Sequence, residues 1–244
     1  MADTPVSSAN PRYWAVVPAA GFGRRMGSAI PKQYLPINGR VVLAHTLERL
    51  AQHPHIAGIV VAIAQDDPHW QGMPAMQLTV PVTTVTGGEE RSHSVLNALD
   101  YLYQHAPADD WVLVHDAARP CVRVSDIDQL MMQLHDDAVG GLLAVPVRDT
   151  MKRADSTQHV TATIERAGLW HAVTPQMFRL KMLRDAIAAA LAQGVRITDE
   201  AMAIELTGRR PRLVEGHADN IKITRHEDLQ LAEWFLLQQQ NKNS

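Results

Sequence analysis

The chain has 244 residues, 46% apolar and 20% charged, with 23 Lys and Arg against 26 Asp and Glu for a net charge of -3. That is enough for one large folded domain or two small ones, ample for a core, and it excludes a disordered chain. The balance argues against a protein that coats nucleic acid, the lone Cys121 excludes an internal disulfide or multi-cysteine metal centre, and no run approaches the roughly 18 apolar residues of a membrane span.

The first residues, MADTPVSSANPR, lack the basic start and apolar stretch of a secretory signal and read as a loose end, as does the tail QQQNKNS; the cytoplasm is the expected compartment. Residues 14–18 (WAVVP) predict a buried strand that runs directly into a glycine-rich turn. Residues 41–53 carry apolar side chains at helical spacing and are closed by Pro54. A strand follows over 56–64, and another is predicted over 78–86, where Pro81 favours an edge or irregular position. Next come a helix over 89–104, a central strand over 111–115, a helix capped by Ser125 and running to about Asp137, and a strand over 140–147. This alternation predicts an α/β fold, a mostly parallel sheet with helices on both faces.

The pattern changes at 148–167 (RDTMKRADSTQHVTATIERA), which is polar, charged and partly alternating. It predicts two extended strands around a turn at 155–158, either a surface hairpin or a dimerisation arm, since a two-stranded ribbon needs something to pack against. The core resumes with a helix over 179–193 stopped by Gly194, and a second over 199–206 capped by Thr198 and stopped by Gly208. A strand over 211–215 leads to DNIKIT, and a helix over 225–239 packs Leu229, Ala232, Trp234 and Leu236 near the core. One domain over 1–244 with an arm at 148–167 accommodates all of this.

The strongest local signal is residues 18–34, PAAGFGRRMGSAIPKQY. It follows a predicted strand and so lies at the carboxyl edge of the sheet, where open α/β folds bind ligands. Ala19, Ala20, Gly21 and Gly23 let backbone amides approach a polyphosphate, and Arg24, Arg25 and Lys32 concentrate positive charge beside them. Eighteen of the 23 cations are Arg, whose forked donors suit phosphate oxygens. A nucleoside triphosphate is the guest these features suit. There is no G-x-x-x-x-G-K-[ST], and Gly21 and Gly23 are followed by Met26 where a dinucleotide fingerprint needs glycine, so neither a Walker-type ATPase nor a Rossmann dehydrogenase is indicated.

Three other segments carry candidate chemistry. TGGEERSHSV reads as a turn entering a helix, in which Ser94 taken alone is an intrahelical hydroxyl. VHDAARP ends the central strand and presents Asp116 at the ligand edge, where it either caps the following turn or meets a metal or a ribose hydroxyl. Lys222 in DNIKIT reads, alone, as a surface lysine, with Asp219 and Asn220 forming the turn that aims it. The 12 His residues form no metal signature, and Cys121 reads as an inert small hydrophobe.

Taken together, PAAGFGRRM, PKQY, GG-x-x-R-x-x-S-V, VHDAARP, PVRDTMKR, R-x-GLWHAVTPQ, ITDEA and VEG-x-x-DNIKIT resemble the 2-C-methyl-D-erythritol 4-phosphate cytidylyltransferase family, in order, from about Trp14 to Phe235. The resemblance implies a Rossmann-like nucleotidyltransferase core, dimerisation through a protruding arm, Mg2+ as cofactor, and transfer of CMP from CTP to methylerythritol phosphate with release of pyrophosphate. It implies that the backbone at Ala19, Ala20, Gly21 and Gly23 cradles the CTP phosphates, and that Gly88, Glu89, Arg91 and Ser94 line the cytosine side. Relatives commonly carry Asp at the Glu89 position, so a backbone contact there is more secure than a side-chain one. Arg25, Lys32 and Lys222 are the implied catalytic cations. Asp116 is implied at Mg2+ or a metal-bound water and beside the acceptor, and Arg119 near the acceptor phosphate or fixing its loop. Thr150 and Arg166 from the arm, both implied to come from the neighbouring subunit, and Thr174, Thr198 and Lys222 from the core complete the implied acceptor site. Three alternatives stay open: a cytidylyltransferase for another polyol phosphate such as ribitol 5-phosphate, a sugar-1-phosphate nucleotidyltransferase using another base, and a non-catalytic nucleotide-binding dimer.

Overall fold

The computed structural model describes residues 11–21 and 30–241. A seven-stranded sheet has the order β11-β7-β10-β6-β1-β4-β5. Its strands are β1 (Tyr13–Pro18), β4 (Ile56–Ile63), β5 (Val82–Thr86), β6 (Trp111–Val114), β7 (Gly140–Pro146), β10 (Trp170–Arg179) and β11 (Arg212–Glu215). The pairs β1–β4, β1–β6, β4–β5 and β7–β11 are parallel, while β10 runs antiparallel to both β6 and β7. The expected mostly parallel α/β sheet is therefore present, with one reversed strand that the strand–helix rhythm did not announce.

Period-two alternation on the central strands feeds two cores. Ala15, Val17, Ile59, Val61, Trp111 and Leu113 face one side, where they pack with α1 (Val42–Ala51) and α4 (Val124–Leu134). Val16, Val60, Val112 and Val114 face the other, where they meet α3 (Arg91–His105), α5 (Leu180–Ala192) and α6 (Glu200–Glu205). A strand buried on both faces reads as a continuous apolar run, which is why WAVVP and WVLVH stand out in the sequence. A third, smaller cluster joins α7 (Glu227–Asn241) through Ala232 and Leu236 to Ile37, Val42, Cys121 and Ile223, beside the short hairpin of β2 (Pro36–Ile37) and β3 (Arg40–Val41). A single-turn helix, α2 (Pro68–Gln71), is capped by Asp67.

Several local expectations need correction. Ser125 does not cap α4: the cap position is Arg123, which is drawn into an ion pair with Asp219, its Nε 3.0 Å from Oδ2. Thr198 does not cap α6: the cap is Asp199, whose Oδ1 accepts the Met202 N–H at 3.0 Å. Trp234 is 54% exposed, so α7 turns Ala232 and Leu236 inward and leaves the indole outside. The strand expected over 78–86 begins only at Val82, after Pro81, and lies at the sheet edge as that proline requires.

Residues 148–167 form the expected hairpin. β8 (Met151–Ala154) and β9 (Val160–Ile164) pair only with each other, around a turn in which the Asp155 carboxylate accepts the N–H groups of Thr157 and His159. Gln158 takes a φ of 65° there.

Candidate active site

β1 is the first strand laid down, with β4 on one side and β6 on the other, so the chain reverses its direction of travel across the sheet at β1. The loops leaving β1 and β6 diverge at such a point and open a crevice at the strands' carboxyl ends. A cleft of about 230 Å³ lies there, lined by Ala19, Ala20, Gly21, Lys32, Gln33, Gly88, Glu89, Arg91, Ser94, Asp116 and Lys222 among others. Ten of these eleven are residues the sequence marks as site candidates; Gln33 belongs to a quoted motif without an assigned role, and Lys32, Asp116 and Lys222 come together from early, middle and late parts of the chain.

The wall that follows β1 is held from behind. Ala19 N–H donates to the Ala62 carbonyl at 2.7 Å, and buried Gln33 donates from Nε2 to the carbonyls of Ala19 at 2.6 Å and Gly21 at 3.1 Å. Those bonds fix the backbone of Ala19 and Gly21 at the cleft wall. Opposite, Gly88 N–H donates to Ser94 Oγ at 3.1 Å, and the Ser94 hydroxyl is within reach of the Glu90 carbonyl at 3.2 Å, so Ser94 shapes the turn as well as lining it. Gly87 is required for a different reason. A Cβ on it would stand 2.4 Å from the Ala20 Cβ and 2.8 Å from Ser94 Oγ, which means the two walls meet at this glycine.

Charge is concentrated on one carboxylate. Asp116, 7% exposed, receives Arg91 Nε on Oδ1 at 2.9 Å, and Arg119 Nε at 3.3 Å and Lys222 Nζ at 2.8 Å on Oδ2. Burial alone would push its pKa up, but the charges of Arg91, Lys222 and Arg119 win and hold the carboxyl well below the usual carboxylate range. Lys32 Nζ donates to the Ile223 carbonyl at 2.9 Å, the residue next to Lys222, so the two lysines are tied to one segment.

A buried polar lattice supports this cluster. The Asp116 N–H donates to Thr174 Oγ1 at 3.0 Å. His115 Nε2 lies 3.0 Å from the Arg119 carbonyl, which can only accept, so that nitrogen carries the proton and Nδ1 accepts the Thr174 hydroxyl at 3.0 Å. Burial pushes the His115 pKa down to about 4, keeping the ring in this neutral form near pH 7. Arg119 also donates to the Asn220 carbonyl at 2.7 Å, and the Asn220 amide donates to the Thr174 carbonyl at 2.8 Å. Asn220 thereby fixes the turn that presents Lys222, and Asp219 anchors its other side through Arg123 and Gln239.

A family model described as 2-C-methyl-D-erythritol 4-phosphate cytidylyltransferase matches residues 13–238. The chain belongs to this family. A cytidylyltransferase of that name from Pseudomonas syringae pv. tomato is 55% identical over 226 residues, covering 92% of this chain and 94% of its own. A crystal structure of a 4-diphosphocytidyl-2C-methyl-D-erythritol synthase aligns with a TM-score of 0.82 at 37% identity, covering 94% of this chain and 100% of that one. The 2-C-methyl-D-erythritol 4-phosphate cytidylyltransferase of Francisella tularensis aligns with a TM-score of 0.79 at 37% identity, covering 92% and 99%.

Not every residue implicated through this cytidylyltransferase resemblance meets in the cleft. Gly23 and Arg25 lie outside the described residues. Thr150, Arg166 and Thr198 are exposed and do not line the cleft of this chain; Arg166 Nη1 turns back to the Arg148 carbonyl at the base of the arm. Thr174 is buried behind Asp116, with its hydroxyl engaged as described. Among the described residues no group of three or more His, Cys, Asp or Glu side chains is placed to hold a metal ion. A closed protein cage for Mg2+ therefore does not fit this donor set. An ion held chiefly by phosphate oxygens and water, with one carboxylate nearby, does fit, since Mg2+ sheds water reluctantly and is commonly bound that way beside nucleotides.

Three residues that position the site carried no assigned role in the sequence: Gln33, Gln176 and Glu200. Each is a polar residue inside a quoted motif (PKQY, VTPQ, ITDEA), and each is buried. Their place inside a motif is visible in the sequence, but their burial, which marks a polar side chain as needing a fixed partner, is shown only by the structure.

Proposed function

We propose that this chain catalyses transfer of CMP from CTP to 2-C-methyl-D-erythritol 4-phosphate, releasing pyrophosphate, as a CTP-dependent cytidylyltransferase with Lys32, Lys222 and Arg25 as its catalytic cations. The observation that carries the assignment of roles is the meeting of Lys32, Lys222 and Asp116 in one cleft with the backbone of the turn after β1. A phosphate oxygen of the acceptor attacks the α-phosphorus of CTP in line. A new P–O bond forms as the bond to the β-phosphate oxygen breaks, and pyrophosphate leaves with that electron pair. The attacking phosphate is already ionised near neutrality, its second pKa being roughly 6, so no general base and no covalent intermediate are needed.

The barrier is mainly the meeting of two anions and the charge that gathers on the α-phosphoryl oxygens. Cations fixed in place beforehand offset both. Gly88, Glu89, Arg91 and Ser94 form the nucleoside side, and the backbone of Ala19, Ala20 and Gly21 with Gly23 forms the triphosphate side. Mg2+ supplies further charge neutralisation for the triphosphate when bound, and Asp116 is the residue that would hold it, directly or through water. Thr150, Arg166, Thr174 and Thr198, with Arg119, form the acceptor side, Thr150 and Arg166 reaching it across a homodimer. That role for the arm is supported by its exposure: Met151 and Val160 present apolar surface on a ribbon that, among the described residues, pairs with no other strand. We place the reaction in the cytoplasm, in keeping with the single buried cysteine; among the described residues no helix is long and apolar enough to cross a membrane.

The test is pyrophosphate release with CTP and Mg2+ against a panel of polyol phosphates. Methylerythritol phosphate is the preferred acceptor; equal or faster turnover of ribitol 5-phosphate would reverse the acceptor assignment, and CTP binding without pyrophosphate release would remove the catalytic one.

A further inference from the structure

Behind the cleft, and lining no part of it, lies a carboxylate that the reaction does not call for. Glu200 is 1% exposed, at the first turn of α6. It meets Arg91 as a fork, Oε1 with Nη1 at 2.6 Å and Oε2 with Nη2 at 3.0 Å. Its location is itself fixed by β10: the Gln176 amide oxygen accepts the Ala201 N–H at 2.8 Å, and its Nε2 donates to Asp199 at 3.0 Å. Both terminal nitrogens of Arg91 are thus taken by Glu200, which leaves Nε to face Asp116.

We infer that Glu200 is a positioning residue for nucleotidyl transfer, acting through Arg91 and Asp116 to aim Lys222. Stability alone is a weak reason for such a pair, because a buried ion pair is often matched or bettered by apolar side chains of similar volume. Geometry is a stronger one. A guanidinium at the wall of an anion-binding cleft would swing its terminal nitrogens onto the incoming phosphates, following the ligand instead of staying in place. Glu200 prevents that by the bidentate grip, which fixes the plane of the guanidinium as well as its location. Asp116 then has a fixed partner on Oδ1, and its Oδ2 is left to hold Lys222 and Arg119. Glu200 converts Arg91 from a phosphate-seeking cation into a strut.

This inference rests on the cytidylyltransferase reading, and it predicts an uncommon kinetic split. Glu200→Gln frees Arg91 to bind substrate phosphates in the ground state while Asp116 and Lys222 lose their alignment. kcat therefore falls about 10- to 100-fold, as small misplacements of reacting groups do. KM for CTP stays level or drops. A double variant, Arg91→Met with Glu200→Met, removes both charges without orphaning either, so it reports on the site even if Glu200→Gln folds poorly. It keeps a melting temperature near that of the parent and shows a similar fall in kcat. Steady-state pyrophosphate release, CTP binding by calorimetry and thermal melting are measured on the parent and both variants. Parent turnover with unchanged kcat in a folded variant overturns the inference alone. A rise in KM with kcat intact also overturns it, by making Arg91 a simple binding group. No turnover by the parent overturns the cytidylyltransferase reading and this inference with it.

Discussion

Lys32 and Lys222 reach the same cleft from distant parts of the chain, and different groups meet them there. Lys222 sits on a carboxylate held by two further cations, whereas Lys32 is guided by a main-chain carbonyl. Replacing either lysine with Met removes a cation whose worth grows along the reaction, so kcat drops more than CTP affinity, by about 100- to 1,000-fold. Separate determination of kcat and of the CTP dissociation constant checks this, and equal losses in both would assign the lysine to binding alone. Legibility at this scale was uneven. Cations and glycines announced themselves because a phosphate site needs those types close together in sequence. Glu200 and Gln176 did not, because a buried polar residue that supports another side chain carries no local pattern; its partner, Arg91, lies 109 positions away.

Among the elements, those with a plain period were readable and those defined by a neighbour were not. β1, β4 and β6 are buried on both faces and appear as apolar runs, and α5 shows its helical spacing with Gly194 following at a φ of 69°. β10 escaped notice because Trp170, His171 and Ala172 project from the core before the strand enters it, and its register is irregular between Ala172 and Gln176. The α7 indole was misassigned for a related reason: Leu231, Trp234 and Leu237 form an exposed face beside the buried one, and periodicity alone does not say which face is covered. The arm offers a test at this scale. Shortening it by replacing residues 151–164 with a tight turn removes the ribbon but none of the residues that line the cleft. The expected product is a monomer by light scattering that still binds CTP and has lost most of its turnover. A shortened chain that remained dimeric would exclude the arm as the dimer contact.

The molecule as a whole carries a pH signature set by its buried imidazoles. Burial pushes the pKa values of His45, His53 and His115 down, His115 to about 4. The folded chain therefore binds protons less readily than the unfolded chain, whose histidines titrate near 6.5. The stability these groups contribute is complete above the ordinary value and is lost as pH falls from there toward the folded value. With a folded value of about 4, His115 alone is expected to make the protein about 2 kcal/mol less stable at pH 5 than at pH 7. Urea denaturation at the two pH values measures the loss, and His115→Asn should narrow it; an unchanged difference would show that His115 does not titrate as described.

The ribbon leaves the sheet from β7 and comes back as β10, the two strands lying side by side. Its roots are thus bolted to adjacent planks of the same floor, while its tip hangs clear. Extra residues spliced in at 155–159 would lengthen its reach and leave the floor undisturbed. One residue inserted near either root would slide β10 along its neighbours, carrying Thr174 away from Asp116 and Gln176 away from α6 in a single step. The sheet is therefore indifferent to added length at the far end of the arm and intolerant of it at the roots.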